Sequence, residues 1–304
     1  MNTLTAATAA TPLFKSIQHE LDYMAAYEKT LELWNVPVES MRVRTSYGIT
    51  HMLVCGPKNG QPILLFNGFG FSAAMWYPTA EALAASGRRV YAVDVLGEFN
   101  RSAASRHFHA KLDYVGWLTE LMDRLGLEKA VFGGHSNGGW HALNFAIHEP
   151  SRVEKLILLA PAASFTKFNK QFGLRLFAAS LIRTRSMIVD SFCSWFVGPG
   201  KTVDPRLFEQ FYRGLVGFGW KHKIVIPSVF SDEELSRVTM PVLLLVGDRE
   251  VIYDYRKAIA GAKRTVPHAR ACVVPGAGHA LSIECADQVN GEIAAFLTNE
   301  SNNH

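Results

Sequence analysis

Apolar residues near the start of the chain recur with a helical spacing. They lie three or four positions apart, at Leu13, Ile17, Leu21, Met24, Tyr27 and Leu31. One face of an amphipathic helix carries such a stripe. The pattern ends near Trp34, before Pro37, where a helix normally stops. We therefore predict an N-terminal extension, residues 1–36, whose helix packs on the domain that follows.

Short apolar runs then alternate with stretches of helical periodicity. The runs predict strands at 50–55, 62–66, 89–95, 130–133, 155–160, 241–247 and 270–274. Helices are predicted at 73–86, 112–125, 138–148 and 287–298. Uninterrupted apolar runs such as Pro-Ile-Leu-Leu-Phe are typical of strands buried on both faces of a parallel sheet. The predicted fold class is α/β, a mostly parallel sheet flanked by helices.

The alternation stops between residues 163 and 231. This segment contains no convincing buried strand, although it holds ten Phe, two Trp and one Tyr. A loop of that length without secondary structure is uncommon in a compact domain. We predict a helical cap at 163–231, inserted into a core formed by residues 1–162 and 232–304.

The predicted cap is also basic. Ten Lys and Arg residues stand against three acidic ones, so the cap carries a charge of +7 within a chain whose net charge is +4. Solvated helix faces would explain most of this excess. The alternative is that the charge attracts an anionic substrate or rests transiently on an acidic surface.

Composition excludes several classes of protein. A chain of 304 residues with 48% hydrophobic content is not wholly disordered. A membrane-spanning helix needs about 18 apolar residues, and no apolar run in the sequence approaches that length. The four cysteines are far apart and form no C-x-x-C pair, which argues against a zinc site or a disulfide framework. The Lys and Arg residues form no dense run, so we expect no nucleic-acid partner.

The start of the chain lacks the basic and apolar regions of a secretory signal, so we expect a cytoplasmic protein without stable membrane insertion. The sequence does not indicate the oligomeric state.

The segment Gly134-His-Ser136-Asn-Gly138 fits the pattern G-x-S-x-G, and it follows a predicted strand and opens a predicted helix. A serine on such a sharp turn has crowded neighbours, so the flanking positions must be glycine. The positive end of the helix dipole lies beside its hydroxyl. The motif in this context predicts a nucleophile at Ser136. The alternative is a glycine-rich turn with an incidental serine.

A serine hydroxyl needs a base to take its proton. Among eleven histidines, His279 directly follows the last predicted strand in a glycine-rich loop, which can carry an imidazole over the carboxyl edge of the sheet. The histidine in turn needs a carboxylate partner. Asp248, Glu250 and Asp254 follow the strand 241–247 and precede His279, which gives the order nucleophile, acid, base. The choice among the three carboxylates stays open from the residues alone.

The oxyanion of an acyl-transfer reaction needs hydrogen-bond donors. The backbone N–H of Asn137 comes with the turn, and we expect the second donor, the N–H of Phe69, in the loop Asn67-Gly-Phe69-Gly-Phe71. Its glycines allow the backbone to approach a ligand closely. The alternative is a simple glycine turn.

An apolar pocket is predicted beside this loop, where the chain places Phe71, Met75 and Trp76. Most aromatic residues of the predicted cap should pack its own small core. A few should face the cleft below, and clefts between a cap and a sheet often bind ligands. The sequence therefore predicts a substrate with an apolar or aromatic group.

Together, these motifs resemble the α/β-hydrolase superfamily, and within it the bacterial carboxylesterase NP type. The resemblance covers nearly the whole chain and is carried by the Ser136 turn, the loop Gly276-Ala-Gly-His279, the stretch 247–254 and Val93-Asp94-Val-Leu-Gly97. It implies a serine esterase with an inserted cap that works through an acyl-enzyme and needs no cofactor or metal.

The resemblance also bears on single residues. In such hydrolases the acid commonly lies three residues after the strand-terminal glycine, which implies Glu250, with Asp248 as the reserve candidate and Asp254 third. Glutamate departs from the more frequent aspartate at this position. Asn67 stands where many relatives have histidine.

Other functions use the same triad. A hydrolase of carbon–carbon bonds, a thioesterase and an acyltransferase remain alternatives, as does a non-catalytic ligand-binding protein with this fold. Dehalogenases and epoxide hydrolases of the fold use an aspartate nucleophile, where this chain has Ser136. No dinucleotide fingerprint or P-loop is present in the sequence, so the expected partner is a small ester-like substrate without a cofactor.

Overall fold

A single sheet organises the computed structural model, which describes residues 13–219 and 224–298. The chain ends at 1–12 and 299–304, which the sequence predicts to be frayed, lie outside the described residues. So do Trp220, Lys221 and Lys223 of the predicted cap.

Within the described residues the sheet has nine strands, in the spatial order β1-β2-β4-β3-β6-β7-β8-β9, with β5 paired to β2. The strands are β1 (Glu39–Thr45), β2 (Gly48–Cys55), β3 (Gln61–Phe66), β4 (Arg88–Val93), β5 (Ala103–Ala104), β6 (Ala130–His135), β7 (Val153–Leu159), β8 (Val242–Gly247) and β9 (Arg270–Val274). Strands β3, β4 and β6 to β9 pair in parallel, whereas β1, β2 and β5 pair antiparallel. The predicted class, α/β with a mostly parallel sheet, is confirmed.

The edge strand β1 was not predicted from the sequence. Its residues alternate between exposed and partly buried positions, and it contains Glu39, Arg42 and Arg44. An edge strand that faces water on one side lacks the apolar run by which the central strands are recognised.

Helices lie between the strands. They are α1 (Ile17–Leu31), α2 (Tyr77–Ala85), α3 (Lys111–Leu125), α4 (Asn137–His148), α5 (Lys170–Leu181), α6 (Pro205–Gly217), α7 (Asp232–Leu235), α8 (Tyr255–Thr265), α9 (Leu281–Glu284) and α10 (Ala286–Thr298). Short 3₁₀ turns occur at Ala73–Trp76, Pro150–Arg152 and Ser194–Phe196, and a π-helix at Ser186–Cys193. No helix in the described part of the chain is long and apolar enough to cross a membrane.

Helix α1 forms as predicted, but the face that it buries differs from the predicted stripe. Ile17 and Leu21 are 78% and 57% exposed, whereas Tyr23 and Tyr27 are fully buried. The helix packs along α6, and the Tyr23 hydroxyl donates to the carbonyl oxygen of Phe99 at 2.6 Å. Within the predicted stripe Tyr27 is buried and Met24 and Leu31 are partly buried, so the prediction was wrong at Ile17 and Leu21. Tyr23 lies outside the stripe and is buried because its hydroxyl has a hydrogen-bond partner there.

The described part of residues 163–231 is helical and contributes no strand to the sheet. It holds α5, the π-helix and α6, and it joins β7 to β8. Its buried rings include Phe192, Phe196 and Phe211, whereas Phe177 on α5 is 66% exposed. These buried rings lie on the side that faces the carboxyl ends of the strands, as the contact between Phe196 and His279 shows.

Candidate active site

Ser136 stands on a strained turn between β6 and α4. Its backbone has φ 52° and ψ −117°, a conformation that side-chain-bearing residues rarely adopt. A Cβ on Gly134 would lie 2.2 Å from the carbonyl oxygen of Gly138, and a Cβ on Gly138 would lie 2.0 Å from that of Phe66. The flanking glycines are therefore required, and the Ser136 side chain stays partly accessible. Strain of this kind is typical of a functional position.

Three predicted residues meet at this turn. The Ser136 hydroxyl lies 2.8 Å from Nε2 of His279, and Nδ1 of His279 lies 2.8 Å from Oε2 of Glu250. The side chains of His279 and Glu250 are 6% and 0% exposed. These distances are within hydrogen-bonding range, so a proton on the serine has a direct acceptor, and the acceptor has a buried carboxylate behind it.

The structure separates the three candidate carboxylates. Glu250 contacts the imidazole, and its second oxygen accepts hydrogen bonds from the backbone N–H groups of Val251 (2.8 Å) and Ile252 (2.9 Å). Asp248 instead accepts from the N–H of Gly276 at 2.8 Å, in the loop that carries His279. Asp254 caps α8 by accepting from its first backbone N–H groups.

The backbone around His279 is held from several sides. The N–H of Gly278 donates to Glu284 at 2.5 Å, and the N–H of Ala280 donates to the carbonyl oxygen of Phe196 at 3.0 Å. Nε2 of His135 lies 2.7 Å from the carbonyl oxygen of His279 and acts as the donor there. The other oxygen of Glu284 accepts from Gly198, beyond the π-helix, at 2.6 Å.

His135 is neutral in this environment. Burial, with a smaller effect of the nearby His279, lowers the pKa of His135 to about 3. A neutral imidazole has one N–H, and the carbonyl oxygen of His279 fixes that proton on Nε2. His135, the residue before Ser136, therefore holds the backbone of His279 as an uncharged donor.

The loop with the predicted second oxyanion donor lies against the nucleophile. A Cβ on Gly68 would come within 2.9 Å of His135 Nδ1 and 3.5 Å of the Ser136 Cβ. Phe69 follows Gly68, and its ring contacts Phe99 with centroids 5.8 Å apart. Asn137 is the first residue of α4, so its N–H has no partner within the helix.

The side chains of Asn67 and Asn137 both point to one buried carboxylate, Glu98. Its Oε2 accepts from Asn67 Nδ2 at 3.3 Å and from the N–H of Gly70 at 3.2 Å, and its Oε1 accepts from Asn137 Nδ2 at 2.8 Å. Burial raises the pKa of Glu98 to about 8. Sequence reasoning gave no role to Glu98, His135 or Glu284. His135 occupies a variable position of the G-x-S-x-G pattern, and Glu98 and Glu284 lie in no motif.

Aromatic rings connect this region with the helices of residues 163–231. The centroid of Phe196 lies 5.4 Å from that of His279 and 4.8 Å from that of Phe192. Phe71 and Phe211 are 5.2 Å apart. Two further residues predicted to line a pocket, Met75 and Trp76, are each only 1% exposed. No cluster of metal-ligating side chains occurs among residues 13–219 and 224–298.

Comparison with known proteins agrees with this fold and geometry. Residues 61–285 match the family described as the alpha/beta hydrolase fold. The chain therefore belongs to the α/β-hydrolase family.

Its similar relatives include carboxylesterases of Bacillus subtilis. Carboxylesterase YbfK is 34% identical over 93% of this chain and 96% of its own length. The uncharacterised carboxylesterase nap is 35% identical over 92% of this chain and 93% of its own. The crystal structure of naproxen esterase, carboxylesterase NP, has a TM-score of 0.87 at 33% identity and covers 93% of this chain and all of that chain. This family and these relatives agree with the resemblance drawn from the motifs.

Proposed function

We propose that this protein is a carboxylesterase that works through an acyl-enzyme on Ser136. The observation that carries the proposal is the pair of 2.8 Å contacts that joins Ser136 to His279 and His279 to Glu250. The similarity to carboxylesterases over more than nine tenths of the chain supports the same reaction class.

Catalysis begins when His279 Nε2 takes the proton of the Ser136 hydroxyl while Oγ attacks the ester carbonyl carbon. Glu250 keeps the Nδ1–H of His279 directed at its Oε2 and stabilises the imidazolium that forms. The backbone N–H groups of Phe69 and Asn137 stabilise the oxyanion, for which a single donor is worth about 10²- to 10³-fold in kcat.

The intermediate then collapses. His279 gives its proton to the leaving alkoxide, so that an alcohol departs and the acyl group stays on Ser136. Water then attacks the acyl-enzyme with His279 again as base. The carboxylic acid is released, and the Ser136 hydroxyl is regenerated.

The substrate carries an apolar or aromatic group next to the reacting carbonyl. Phe196 contacts the His279 ring at a tilted angle, and Phe192, Phe211 and Phe71 continue the aromatic wall from there. Met75 and Trp76, each 1% exposed, are buried behind the oxyanion loop and would support this wall from the core side. An apolar group that enters this wall is removed from water, which is worth about 25 cal/mol per Å² of buried area.

Residues 163–231 act as a cap over this cleft, with residues 1–162 and 232–304 as the catalytic core. The cap is tied to the base at two points, through Glu284 to Gly198 and through Ala280 to Phe196.

The enzyme is cytoplasmic, which is compatible with its four cysteines, none of which forms a disulfide in the structure.

The proposal is tested by Ser136→Ala together with a serine-directed fluorophosphonate. The wild-type enzyme should hydrolyse aryl esters to acid plus alcohol and become labelled at Ser136. The variant should lose turnover by at least about 10⁴-fold and lose labelling while it unfolds at the same temperature. Turnover near the wild-type rate in Ser136→Ala would contradict the proposal.

Product analysis distinguishes the alternatives. Thioester substrates hydrolysed much faster than oxygen esters would indicate a thioesterase, and two carbonyl fragments from a β-diketone would indicate a carbon–carbon bond hydrolase. Transfer of the acyl group to an added alcohol in preference to water would indicate an acyltransferase. A folded wild-type protein that is neither labelled nor active would indicate a ligand-binding protein.

A further inference from the structure

A buried carboxylate lies between the two backbone segments that should form the oxyanion hole. Glu98 is 2% exposed, and its two oxygens face different segments of the chain. We propose that Glu98 is a positioning residue that holds these segments in register, through Asn67 and Gly70 on one side and Asn137 on the other. This inference rests on the proposed function, because it assigns a role in the same reaction.

On the loop side, Glu98 Oε2 fixes the peptide that follows Phe69. It accepts from the N–H of Gly70 at 3.2 Å and from Asn67 Nδ2 at 3.3 Å. The two hydrogens of the same Asn67 amide are shared with the carbonyl oxygens of Gly68 at 3.0 Å and Phe71 at 2.7 Å, so the loop is tied at both ends. Phe69 lies between these ties, and therefore the direction of its N–H depends on them.

Gly70 is suited to this contact. Its φ is +78°, and a Cβ there would lie 2.5 Å from a ring atom of Phe211 and 2.6 Å from one of Phe99. Only glycine fits this left-handed conformation and this space.

On the helix side, Glu98 Oε1 holds the side chain of Asn137. Asn137 Nδ2 lies 2.8 Å from Oε1, and its second hydrogen has an acceptor in His141 Nε2 at 3.2 Å. Burial lowers the pKa of His141 to about 3, so His141 is neutral and can accept. The side-chain amide of Asn137 is therefore held in place, and the backbone N–H of this same residue should stabilise the oxyanion.

Glu98 itself sits on a fixed support. The carbonyl oxygen of Phe99, the next residue, accepts from the buried hydroxyl of Tyr23 at 2.6 Å. Asn100 Nδ2 donates to the carbonyl oxygen of Val95 at 2.7 Å, which closes the turn that carries Glu98. Glu98 therefore links this hydrogen-bonded turn to the loop of Asn67 and Gly70 and to Asn137.

The energetics agree with a specific role. A buried carboxylate is unfavourable unless it is well hydrogen-bonded, and an apolar residue would often be more stable at such a position. The three donors that converge on Glu98 come from the two segments named above. Asn67 is thus one partner of this carboxylate, at 3.3 Å.

The first test is Glu98→Gln, assayed at about pH 9 so that the wild-type Glu98, whose pKa burial raises to about 8, is ionised. The substitution keeps the shape of the side chain but turns one acceptor into a donor. We expect kcat to fall about 10- to 100-fold, because small displacements of catalytic groups have effects of this size, while KM for a p-nitrophenyl ester changes less than 3-fold. The affinity for an aryl trifluoromethyl ketone, whose adduct with Ser136 places an oxyanion in the hole, should fall by the same factor as kcat/KM. Glu234→Gln is the matched control, since Glu234 is a partly buried carboxylate that pairs with Lys111, and it should leave all of these values within 2-fold.

The second test is rescue by exchange of the two groups. In Glu98→Gln combined with Asn137→Asp, the amide is at position 98 and the carboxylate at position 137, so the hydrogen bond is restored in the opposite direction and the charge is conserved. We expect the double variant to recover at least 5-fold in kcat over Glu98→Gln, whereas Asn137→Asp alone should be impaired. If Glu98 merely supported folding, the single variant would lower the unfolding temperature with unchanged kcat per folded molecule, and this result would overturn the proposal.

Amide hydrogen exchange gives a readout that does not depend on turnover. Exchange in residues 67–71 and at 137–138 should be faster in Glu98→Gln than in the wild type, and unchanged exchange there would overturn the proposal. A wild-type protein without esterase activity would contradict the proposed function, whereas the exchange comparison would still decide whether Glu98 ties the two segments together.

Discussion

His135 donates a hydrogen bond over 2.7 Å to the backbone carbonyl oxygen of His279, so the residue before Ser136 is tied to the backbone of the proposed base. The two residues are far apart in sequence, and the contact closes the active site across the ends of β6 and β9. Both the neutral Nε2–H tautomer and the imidazolium could donate this hydrogen bond, but burial disfavours the charged form and lowers the pKa of His135. The ionisation of His135 therefore affects the stability of the fold.

Acid should destabilise the protein partly through His135. Its pKa is about 3 in the folded protein against an ordinary 6.5, so the unfolded chain binds more protons between these values. Stability then rises with pH across this window and is lost as the pH falls through it, by about 1.4 kcal/mol per pH unit for one group. In His135→Gln, the loss between pH 6.5 and 4 should be smaller than in the wild type.

Urea unfolding at several pH values measures this effect. His141, whose pKa is also about 3, remains in the variant, so part of the acid sensitivity should persist. His109→Gln, which removes an exposed imidazole, serves as the control and should follow the wild type. Equal pH slopes for His135→Gln and the wild type would contradict the prediction.

Glu250→Gln should reduce kcat by about 10³- to 10⁴-fold. The oxygen of the new amide should face the backbone N–H groups of Val251 and Ile252, which now donate to Glu250. Its NH₂ group would then face Nδ1 of His279 and favour the wrong tautomer of the imidazole.

Asp248→Asn is the matched control for the acid. Its carbonyl oxygen can still accept from Gly276, as the carboxylate does at 2.8 Å, so kcat should fall less than about 10-fold. Steady-state kinetics on one aryl ester compares the two variants, and the reverse ranking would transfer the role of triad acid to Asp248.

Gly134→Ala should destabilise the protein and abolish activity. The new Cβ would lie 2.2 Å from the carbonyl oxygen of Gly138, which forces the backbone of the Ser136 turn to move. By contrast, Gly291→Ala in α10 meets no atom within 4 Å and should stabilise the protein by about 0.5–1 kcal/mol. Thermal unfolding of the two variants checks the pair, and an active, equally stable Gly134→Ala would refute the steric argument.

Phe196→Ala should change substrate preference more than it changes catalysis. The ring lies between His279 and Phe192, tilted to the first and edge-on to the second. Its loss should therefore raise KM for aromatic and long-chain acyl esters about 10-fold and for acetate esters much less. Phe177→Ala removes a ring that is 66% exposed on α5 and should leave the acyl preference unchanged. The same shift in both variants would show that the aromatic wall does not form the acyl pocket.

The sequence alone determined the parts of this protein that depend on local chemistry. Uninterrupted apolar runs predicted the central strands, because buried strands exclude polar residues. The glycines around Ser136 and before His279 predicted the two loops of the site, because only glycine tolerates such crowding. The pattern of β1, which is an edge strand, was too polar to be recognised.

Tertiary structure decided the rest, because the deciding contacts join residues that are distant in sequence. Glu250 rather than Asp248 meets His279, since two backbone N–H groups aim the longer side chain at the imidazole. Helix α1 buries Tyr23 in place of Ile17, because the loop at Phe99 offers a hydrogen-bond acceptor there. The convergence of Asn67 and Asn137 on Glu98 has no sequence signal. The three residues lie in separate segments of the chain, and nothing in their spacing shows that the two asparagines contact one buried carboxylate.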